Sequence, residues 1–137
     1  MGTIRVSAMA VVRRGDEMLA SLGSDPSDGR EFYRLLGGGV DFGETGEQAL
    51  RREFREELGA ELDDVRSLGV VENIFTWNAA PGHEVVLMFS ARLRDAGLYD
   101  RDDLVVLDSG DPVGWVPLAD VRSGRILLFP EGPHLEA

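Results

Sequence analysis

Residues 38–60 read GGVDFGETGEQALRREFREELGA and carry the clearest helix signal in the chain. Thr45 is a favoured N-cap residue, and Gln48, three positions later, completes a capping-box pattern. Gly59 supplies a natural C-terminal stop. The pattern therefore predicts an amphipathic helix that packs on a sheet. Its apolar stripe comprises Leu50, Phe54 and Leu58.

Three glutamates lie on the same predicted helix. At about 100° per residue, Glu56 and Glu57 fall about 60° to one side and about 40° to the other side of Glu53. The three carboxylates therefore share one face beside the apolar stripe. A solvated acidic face is the ordinary explanation of such a cluster, because nearby arginines offset the repulsion between like charges. The helix charges alone assign no function.

The spacing of these residues is more specific than their charge. Five residues separate Gly38 from Glu44, and seven separate Glu44 from Arg52. The segment resembles the Nudix box, G-x5-E-x7-R-E-U-x-E-E-x-G-U, in which U is a bulky aliphatic residue. Every fixed Gly, Glu and Arg position matches. Phe54 and Ala60 occupy U positions, so the two departures concern packing and not chemistry.

The resemblance implies a fold and a metal site. The implied fold belongs to the α/β class and is the Nudix α/β/α sandwich with a mixed β-sheet, formed as a single domain over residues 1–137. The implied cofactor is Mg²⁺ or Mn²⁺, hard cations that prefer oxygen ligands. Its implied ligands are Glu53, Glu56, Glu57 and the backbone carbonyl of Gly37. The structural part of the box comprises Gly38, Glu44, which would support the loop, and Gly59.

The resemblance also implies a reaction, the metal-dependent hydrolysis of a diphosphate linkage in a nucleoside diphosphate linked to another group. A nucleoside triphosphate is the most ordinary such substrate. The metals would neutralise the diphosphate and lower the pKa of a water that attacks phosphorus. Glu53 or Glu57 would be the base, and Arg52 would orient them through a charge-assisted bond. Alternatively, the base lies outside the box, where the candidates are Glu72, Glu84, Asp102 and Glu131.

Strands are expected on both sides of the helix, as the mixture of elements in an α/β sandwich requires. Before it, we predict strands at residues 5–12 and 18–22, a turn at 13–16 and an exposed loop at 23–30. After it, we predict strands at 67–77 and 84–93 joined by a loop at 78–83, a strand at 113–116 and a helix at 118–123. The run from Val85 to Phe89 does not alternate, which predicts a strand buried on both faces.

Composition limits the classes of function. The chain has 137 residues, enough for one hydrophobic core, and no cysteine, which excludes disulfides, thiolate metal sites and cysteine nucleophiles. Its net charge of −11 argues against broad binding to nucleic acid or to an anionic membrane. The partner that the resemblance implies is a small nucleotide-like diphosphate. The N-terminus has no apolar signal-peptide core, so we expect a cytoplasmic protein.

The substrate is the least determined feature. Phe75 and Thr76 occupy the region where ADP-ribose-specific members carry a proline, and Trp77 stands where dinucleoside-polyphosphate-specific members carry a tyrosine. The candidate substrate contacts are Arg34 for phosphate, Trp77 for base stacking and His83 for phosphate or proton transfer. Core packing is the more ordinary role for Trp77, and an inert loop position is the more ordinary one for His83.

Three alternatives to a triphosphate hydrolase stay open. One is an ADP-ribose or nucleotide-sugar pyrophosphatase. The second is a Nudix-fold nucleotide sensor without turnover, although a pure binding domain has no need of the full carboxylate set. The third is an acidic metal-binding protein, which predicts metal affinity without nucleotide cleavage. The resemblance is compatible with a homodimer, although no residue pattern indicates one.

Overall fold

The structure, a computed structural model, describes residues 2–136. Two mixed sheets and two helices form an α/β/α sandwich. In chain order the elements are β1 (Arg5–Val11), β2 (Arg13–Arg14), β3 (Glu17–Ser24), β4 (Glu31–Leu35), β5 (Gly37–Gly39), α1 (Gly46–Leu58), β6 (Leu62–Trp77), β7 (Ala80–Leu93), β8 (Val113–Pro117), α2 (Leu118–Arg122) and β9 (Leu128–Phe129), with short 3₁₀ turns at Ala96–Asp100 and Pro133–Glu136.

The first sheet has the strand order β5-β1-β7-β6, with β1 and β7 parallel and the other neighbours antiparallel. In the second sheet, β3 pairs with β2, β4 and β8, and β4 pairs in parallel with β9. Both sheets are therefore mixed. The expected α/β/α sandwich with mixed β-sheet is confirmed.

Strand β1 explains how the layers hold together. Its residues alternate between two cores because successive strand side chains point to opposite faces. Ala8 and Ala10 join the core beneath α1, which includes Phe54. Met9 and Val11 join the core between the two sheets. One strand thus ties the helix layer to the second sheet.

Helix α1 forms as its sequence predicts. The Thr45 side chain accepts a hydrogen bond from the Gln48 backbone, and the Gln48 side chain accepts one from the Thr45 backbone. Gly59 ends the helix in the left-handed conformation, with φ of 64°. Leu50 and Phe54 are fully buried. The capping box, the stop and the inward stripe are therefore confirmed.

Several predicted boundaries are wrong because pairing extends the strands. Residues 13–14 are a short strand and not part of the turn, β3 continues to residue 24, and the three glycines form strand β5. A turn at residues 13–16 would have paired the strand at 18–22 with the strand at 5–12, but β3 pairs with β2, β4 and β8 and not with β1. The short strand β9 was not predicted.

The predicted loop at residues 78–83 is also wrong. The β6–β7 hairpin turns at Asn78 and Ala79, with φ of 54° and 61°, and β7 already begins at Ala80. Positive φ at both positions matches the right-handed twist of the flanking strands. His83 therefore lies in a strand opposite Ile74.

Burial along β7 corrects another expectation. Val86 and Met88 are buried, whereas Val85, Leu87 and Phe89 are only half-buried. On the second face, Phe89 packs against the core beneath α1, and a Cβ on Gly46 at the start of that helix would lie 2.6 Å from Leu87 Cδ1. The helix covers that face in part, so the strand is not buried on both sides.

No helix within residues 2–136 is long and apolar enough to cross a membrane.

Candidate active site

Two box glutamates, Glu53 and Glu57, meet beside the glycine strand β5. The side chains share a hydrogen bond, and Glu57 also accepts one from the backbone N–H of Gly37. Positions four apart on a helix lie one above the other, which explains the contact. Burial, together with the negative charge of the neighbouring Glu53 carboxylate, raises the pKa of Glu57 from 4.5 to about 8. The pair therefore holds a proton at neutral pH unless a cation compensates its charge.

Glu56 does not join this pair. Its side chain is 55% exposed, and its oxygens lie 3.3 and 3.4 Å from Arg52 Nη1. Glu56 therefore lies beside Arg52, on the opposite side of Glu53 from Glu57, as the helical angles predict. Among the side chains that the structure describes, no three acidic or imidazole groups already converge as a metal-ligand group.

Arg52 connects the helix to the loop that precedes it. Its Nε and Nη2 donate to the two carboxylate oxygens of Glu44 at 2.8 and 2.9 Å, a bidentate pair. Nη1 donates to Glu53 at 2.9 Å, and Nη2 also donates to the carbonyl of Gly39 at 2.9 Å. The hydrogen bonds from Arg52 lower the pKa of Glu44. One guanidinium thus aligns Glu53, Glu44 and β5, and the expected bond from Arg52 to Glu53 is present.

Glycine is required at two positions of β5 for different reasons. Gly37 has φ of 141°, and a Cβ there would lie 2.0 Å from the carbonyl oxygen of Ala8 in β1. A Cβ on Gly38 would lie 2.5 Å from Cδ of Glu53. Gly37 therefore allows β5 to pair with β1, and Gly38 leaves room for the carboxylate.

A cleft of about 970 Å³ contains the three residues predicted to contact substrate, Arg34, Trp77 and His83. Arg34 lies between this cleft and the acidic pair, because its charge also acts on Glu57. Trp77 is 46% exposed, which rules out the alternative that it is a core residue. Four aromatic rings line the cleft: Phe32, Phe75, Trp77 and Phe129.

Glu84 forms the polar floor of the cleft and is 3% exposed. Its Oε2 accepts hydrogen bonds from Ser7 Oγ at 3.1 Å and Arg34 Nη2 at 3.2 Å, and its Oε1 accepts one from Asn73 Nδ2 at 3.0 Å. Sequence reasoning named Glu84 only as one of four outside bases. One sequence signal could have singled out Glu84, namely its position directly before the apolar run Val85 to Phe89. An acidic residue in a buried strand needs hydrogen-bond partners, and such a residue is therefore a candidate for a polar site.

The other outside carboxylates lie elsewhere. Glu72 is exposed on β6. Asp102 pairs with Arg14 and is 83% exposed, and Glu131 lines a separate depression beside α2. None of these three lines the cleft, so Glu84 is the outside candidate that the structure brings next to Arg34.

The sequence matches known proteins. The family model described as NUDIX domain matches residues 3–133. The nucleoside triphosphatase NudI of Enterobacter sp. (strain 638) is 43% identical over 53 residues, which make up 39% of this chain and 38% of that protein. The NAD-capped RNA hydrolase NudC of Pseudomonas putida (strain GB-1) is 29% identical over 134 residues, 93% of this chain and 48% of that protein. The chain thus spans less than half the length of both relatives.

The fold is similar to that of a MutT NUDIX hydrolase from Burkholderia pseudomallei. Its crystal structure aligns with a TM-score of 0.65 at 27% identity, and the alignment covers 98% of this chain and 97% of that one. The family model therefore agrees with the box spacing, with the capped helix that presents Glu53 and Glu57, and with the whole architecture. This chain belongs to the MutT-like Nudix hydrolase family.

Proposed function

We propose that this protein hydrolyses a diphosphate linkage in a nucleoside diphosphate linked to another group, with a nucleoside triphosphate as the first substrate to test. The proposal is carried by the Glu53–Glu57 pair, which lies between the Gly37 peptide and Arg34. The two carboxylates offer negative oxygens to a cation, and the neighbouring Arg34 offers a positive side chain to a phosphate. NudI is named a nucleoside triphosphatase and NudC an NAD-capped RNA hydrolase, and both names agree with hydrolysis of a nucleotide derivative.

The donor set fits Mg²⁺ or Mn²⁺. All the donors that we assign are oxygens, as hard cations prefer: Glu53, Glu57, Glu56 and the carbonyl of Gly37. The raised pKa of Glu57 also indicates that this site needs a cation. Burial and the nearby Glu53 carboxylate make a second negative charge unfavourable, so Glu57 keeps its proton when no metal is bound. A bound divalent cation would supply that charge, neutralise the diphosphate and lower the pKa of the attacking water.

The protein's own residues would orient the reactants. Arg52 holds Glu53 through the 2.9 Å bond, so that carboxylate keeps one orientation while Glu44 balances the guanidinium charge. Arg34 would contact a phosphate oxygen, since 39% of its side chain is exposed and one of its nitrogens is already fixed by Glu84. Positioning of this kind supplies most of the catalysis in phosphoryl transfer.

We assign the base to Glu53 or Glu57, with Glu84 as the alternative outside the box. Glu57 shares a hydrogen bond with Glu53, and in the metal-free protein its pKa of about 8 lets it take up a proton near neutral pH. Glu84 is also near Arg34, but its two oxygens already accept three hydrogen bonds. Loss of activity in Glu53→Gln or Glu57→Gln, with activity retained in Glu84→Gln, is the result that this assignment expects.

The proposal is tested by incubating the purified protein with Mg²⁺ and a panel of nucleoside triphosphates, dinucleotides, ADP-ribose and nucleotide sugars. Products are identified by mass. We expect cleavage at one diphosphate bond and a fall in kcat of at least about a hundredfold in Glu57→Gln. The matched control is Glu47→Gln, because Glu47 lies in the first turn of the same helix and pairs with Arg51 at the surface.

Binding without any product across the panel would contradict the proposal and identify a nucleotide sensor. Metal binding without nucleotide binding would identify an acidic metal-binding protein. Equal losses in Glu57→Gln and Glu47→Gln would show that helix charge, and not the acidic pair, controls the rate.

The size of the cleft favours a second candidate, the pyrophosphatase of a larger nucleotide conjugate such as ADP-ribose or a nucleotide sugar. Its volume of about 970 Å³ is at the upper end of ordinary small-molecule sites. A higher kcat/KM for these conjugates than for triphosphates in the same panel would select this candidate.

A further inference from the structure

The cleft is positively charged in an acidic protein. Its charged lining residues are Arg5, Arg30, Arg34 and Glu84, which leave a formal charge of +2. The whole chain carries −11. Because arginine forks bind phosphate oxygens through paired N–H groups, the cleft is suited to phosphate.

Two of these arginines, Arg5 and Arg30, make no ion pair and no side-chain hydrogen bond with any residue that the structure describes. Within residues 2–136, the arginines without an ion pair or a side-chain hydrogen bond are Arg5, Arg30 and Arg66, although the chain has 25 acidic and 14 basic residues. Arg5 packs against Gly39, beside the box. Arg30 precedes β4, four residues before Arg34, and so stands about 13 Å along the extended chain from it. Arg30 therefore makes no ion pair among the described side chains and lies away from Glu53 and Glu57, although its charge helps to lower the pKa of Asp25.

The backbone around Arg30 is rigidly held. The Arg30 carbonyl accepts a hydrogen bond from the Asp25 backbone at 2.8 Å. Asp25 is 4% exposed, and its Oδ1 accepts from Ser27 N, Ser27 Oγ and Asn78 N at 2.9, 2.7 and 3.0 Å. Asn78 follows Trp77 at the hairpin tip. Asp25 thus joins the loop that carries Arg30 to the hairpin that carries Trp77, 53 residues further along the chain.

We propose that the part of the cleft between Arg30 and Trp77 binds a second phosphate of the substrate, a phosphate monoester distinct from the scissile diphosphate. The Trp77 ring stacks on the neighbouring base, and Arg30 pairs with the monoester. Arg5 and Arg34 lie towards the box, so Arg30 is the arginine of the cleft lining that remains for a second anionic group. The substrate class is therefore a nucleotide conjugate with an additional phosphate on its ribose. This inference rests on the proposed function only for the identity of the diphosphate.

The test measures binding without hydrolysis. Isothermal titration calorimetry compares 5′-AMP with adenosine 2′,5′-bisphosphate and adenosine 3′,5′-bisphosphate, none of which contains a diphosphate linkage. We expect one of the bisphosphates to bind at least about tenfold more tightly than 5′-AMP, as one charge-assisted contact supplies. Arg30→Ala should abolish this preference, and Arg30→Lys should restore part of it. Arg66→Ala is the matched control, since Arg66 is also unpaired but lies outside the cleft.

Equal affinity for 5′-AMP and both bisphosphates would overturn the inference, and so would a preference that survives in Arg30→Ala. A preference lost equally in Arg66→Ala would overturn it too, because general charge would then explain the binding. Absence of hydrolysis across the panel of diphosphates would refute the proposed function while leaving this preference measurable. The two failures are therefore distinguishable.

Discussion

Two opposing effects act on Glu57. Its burial beside another carboxylate favours the neutral, protonated form, whereas the proposed metal site needs the negatively charged form. Its folded-state pKa of about 8 lies above the ordinary 4.5. A carboxyl group with a raised folded pKa contributes stability that is fully present below the unfolded pKa and lost as the pH rises through the folded pKa. The metal-free protein is therefore expected to lose stability between pH 4.5 and about 8.

Thermal unfolding of wild type and Glu57→Gln in the presence of a chelator measures this effect. The difference in stability between the two proteins should change by about 1.4 kcal/mol for each pKa unit of the shift. Glu57→Gln should show the flatter pH dependence, and Mg²⁺ should stabilise the wild type most at high pH. Parallel curves for the two proteins would show that Glu57 does not titrate differently on folding.

The adjacent glycines of β5 give a second prediction at the scale of single residues. In Gly38→Ala the added methyl meets the end of the Glu53 side chain, which can move, so the fold survives while activity and Mg²⁺ affinity fall at least about tenfold. In Gly37→Ala the methyl meets the β1 backbone at positive φ, so the fold itself is destabilised. Melting temperature and Mg²⁺ titration separate the outcomes. Similar melting temperatures for both variants would contradict this assignment.

At the scale of elements, the cleft depends on how a loop and a hairpin are joined. Asp25 accepts its hydrogen bonds from Ser27 and Asn78, and no regular element connects these segments. The bonds from Ser27, with the one from Asn78, lower the pKa of Asp25 below 3.8. A depressed carboxyl pKa contributes stability above the unfolded pKa that is lost as the pH falls through the folded pKa.

Asp25→Ala is therefore expected to free the hairpin tip while leaving both sheets folded. The melting temperature should fall by a few degrees at pH 7, and this difference from wild type should shrink as the pH falls below 3.8. Asp28→Ala is the matched control in the same loop, since Asp28 bonds only the nearby Arg30 backbone. Unchanged amide exchange at Asn78 in Asp25→Ala would refute the joining role.

At the scale of the whole molecule, stability depends on the cores that share β1. Phe54 is 0% exposed beneath α1, whereas Phe42 is fully exposed on the loop before the helix. We expect Phe54→Ala to lower the free energy of unfolding by about 3–5 kcal/mol, because it removes apolar burial and leaves a cavity. Phe42→Ala should change it by less than about 0.5 kcal/mol. Urea unfolding of both variants measures the difference. Comparable losses of stability would contradict the prediction, because Phe42 would then contribute a stabilising contact.

The sequence by itself determined the helix, the family and the acidic residues of the site. A capping box, a glycine stop and an apolar stripe act within about four turns of one helix, so the limits of this helix and its buried face can be predicted from residues 45–59 alone. The box spacing identified Glu53, Glu57, Arg52 and Glu44 because it records positions along that same helix and its loop. Strand existence was also readable, although strand ends were not, since pairing partners decide where a strand stops.

Only the tertiary structure decided which residues meet. It brought Arg34 close to Glu57 and the carbonyl of Gly39 to Arg52, contacts between different elements that the period of one helix does not predict. It placed Gly37–Gly39 in a strand beside β1 and His83 in β7. The Glu84 floor joins Ser7, 77 residues away, and Arg34, 50 residues away. A buried carboxylate needs hydrogen-bond donors, and these donors come from residues far away in the sequence. Such contacts therefore have no local sequence signature.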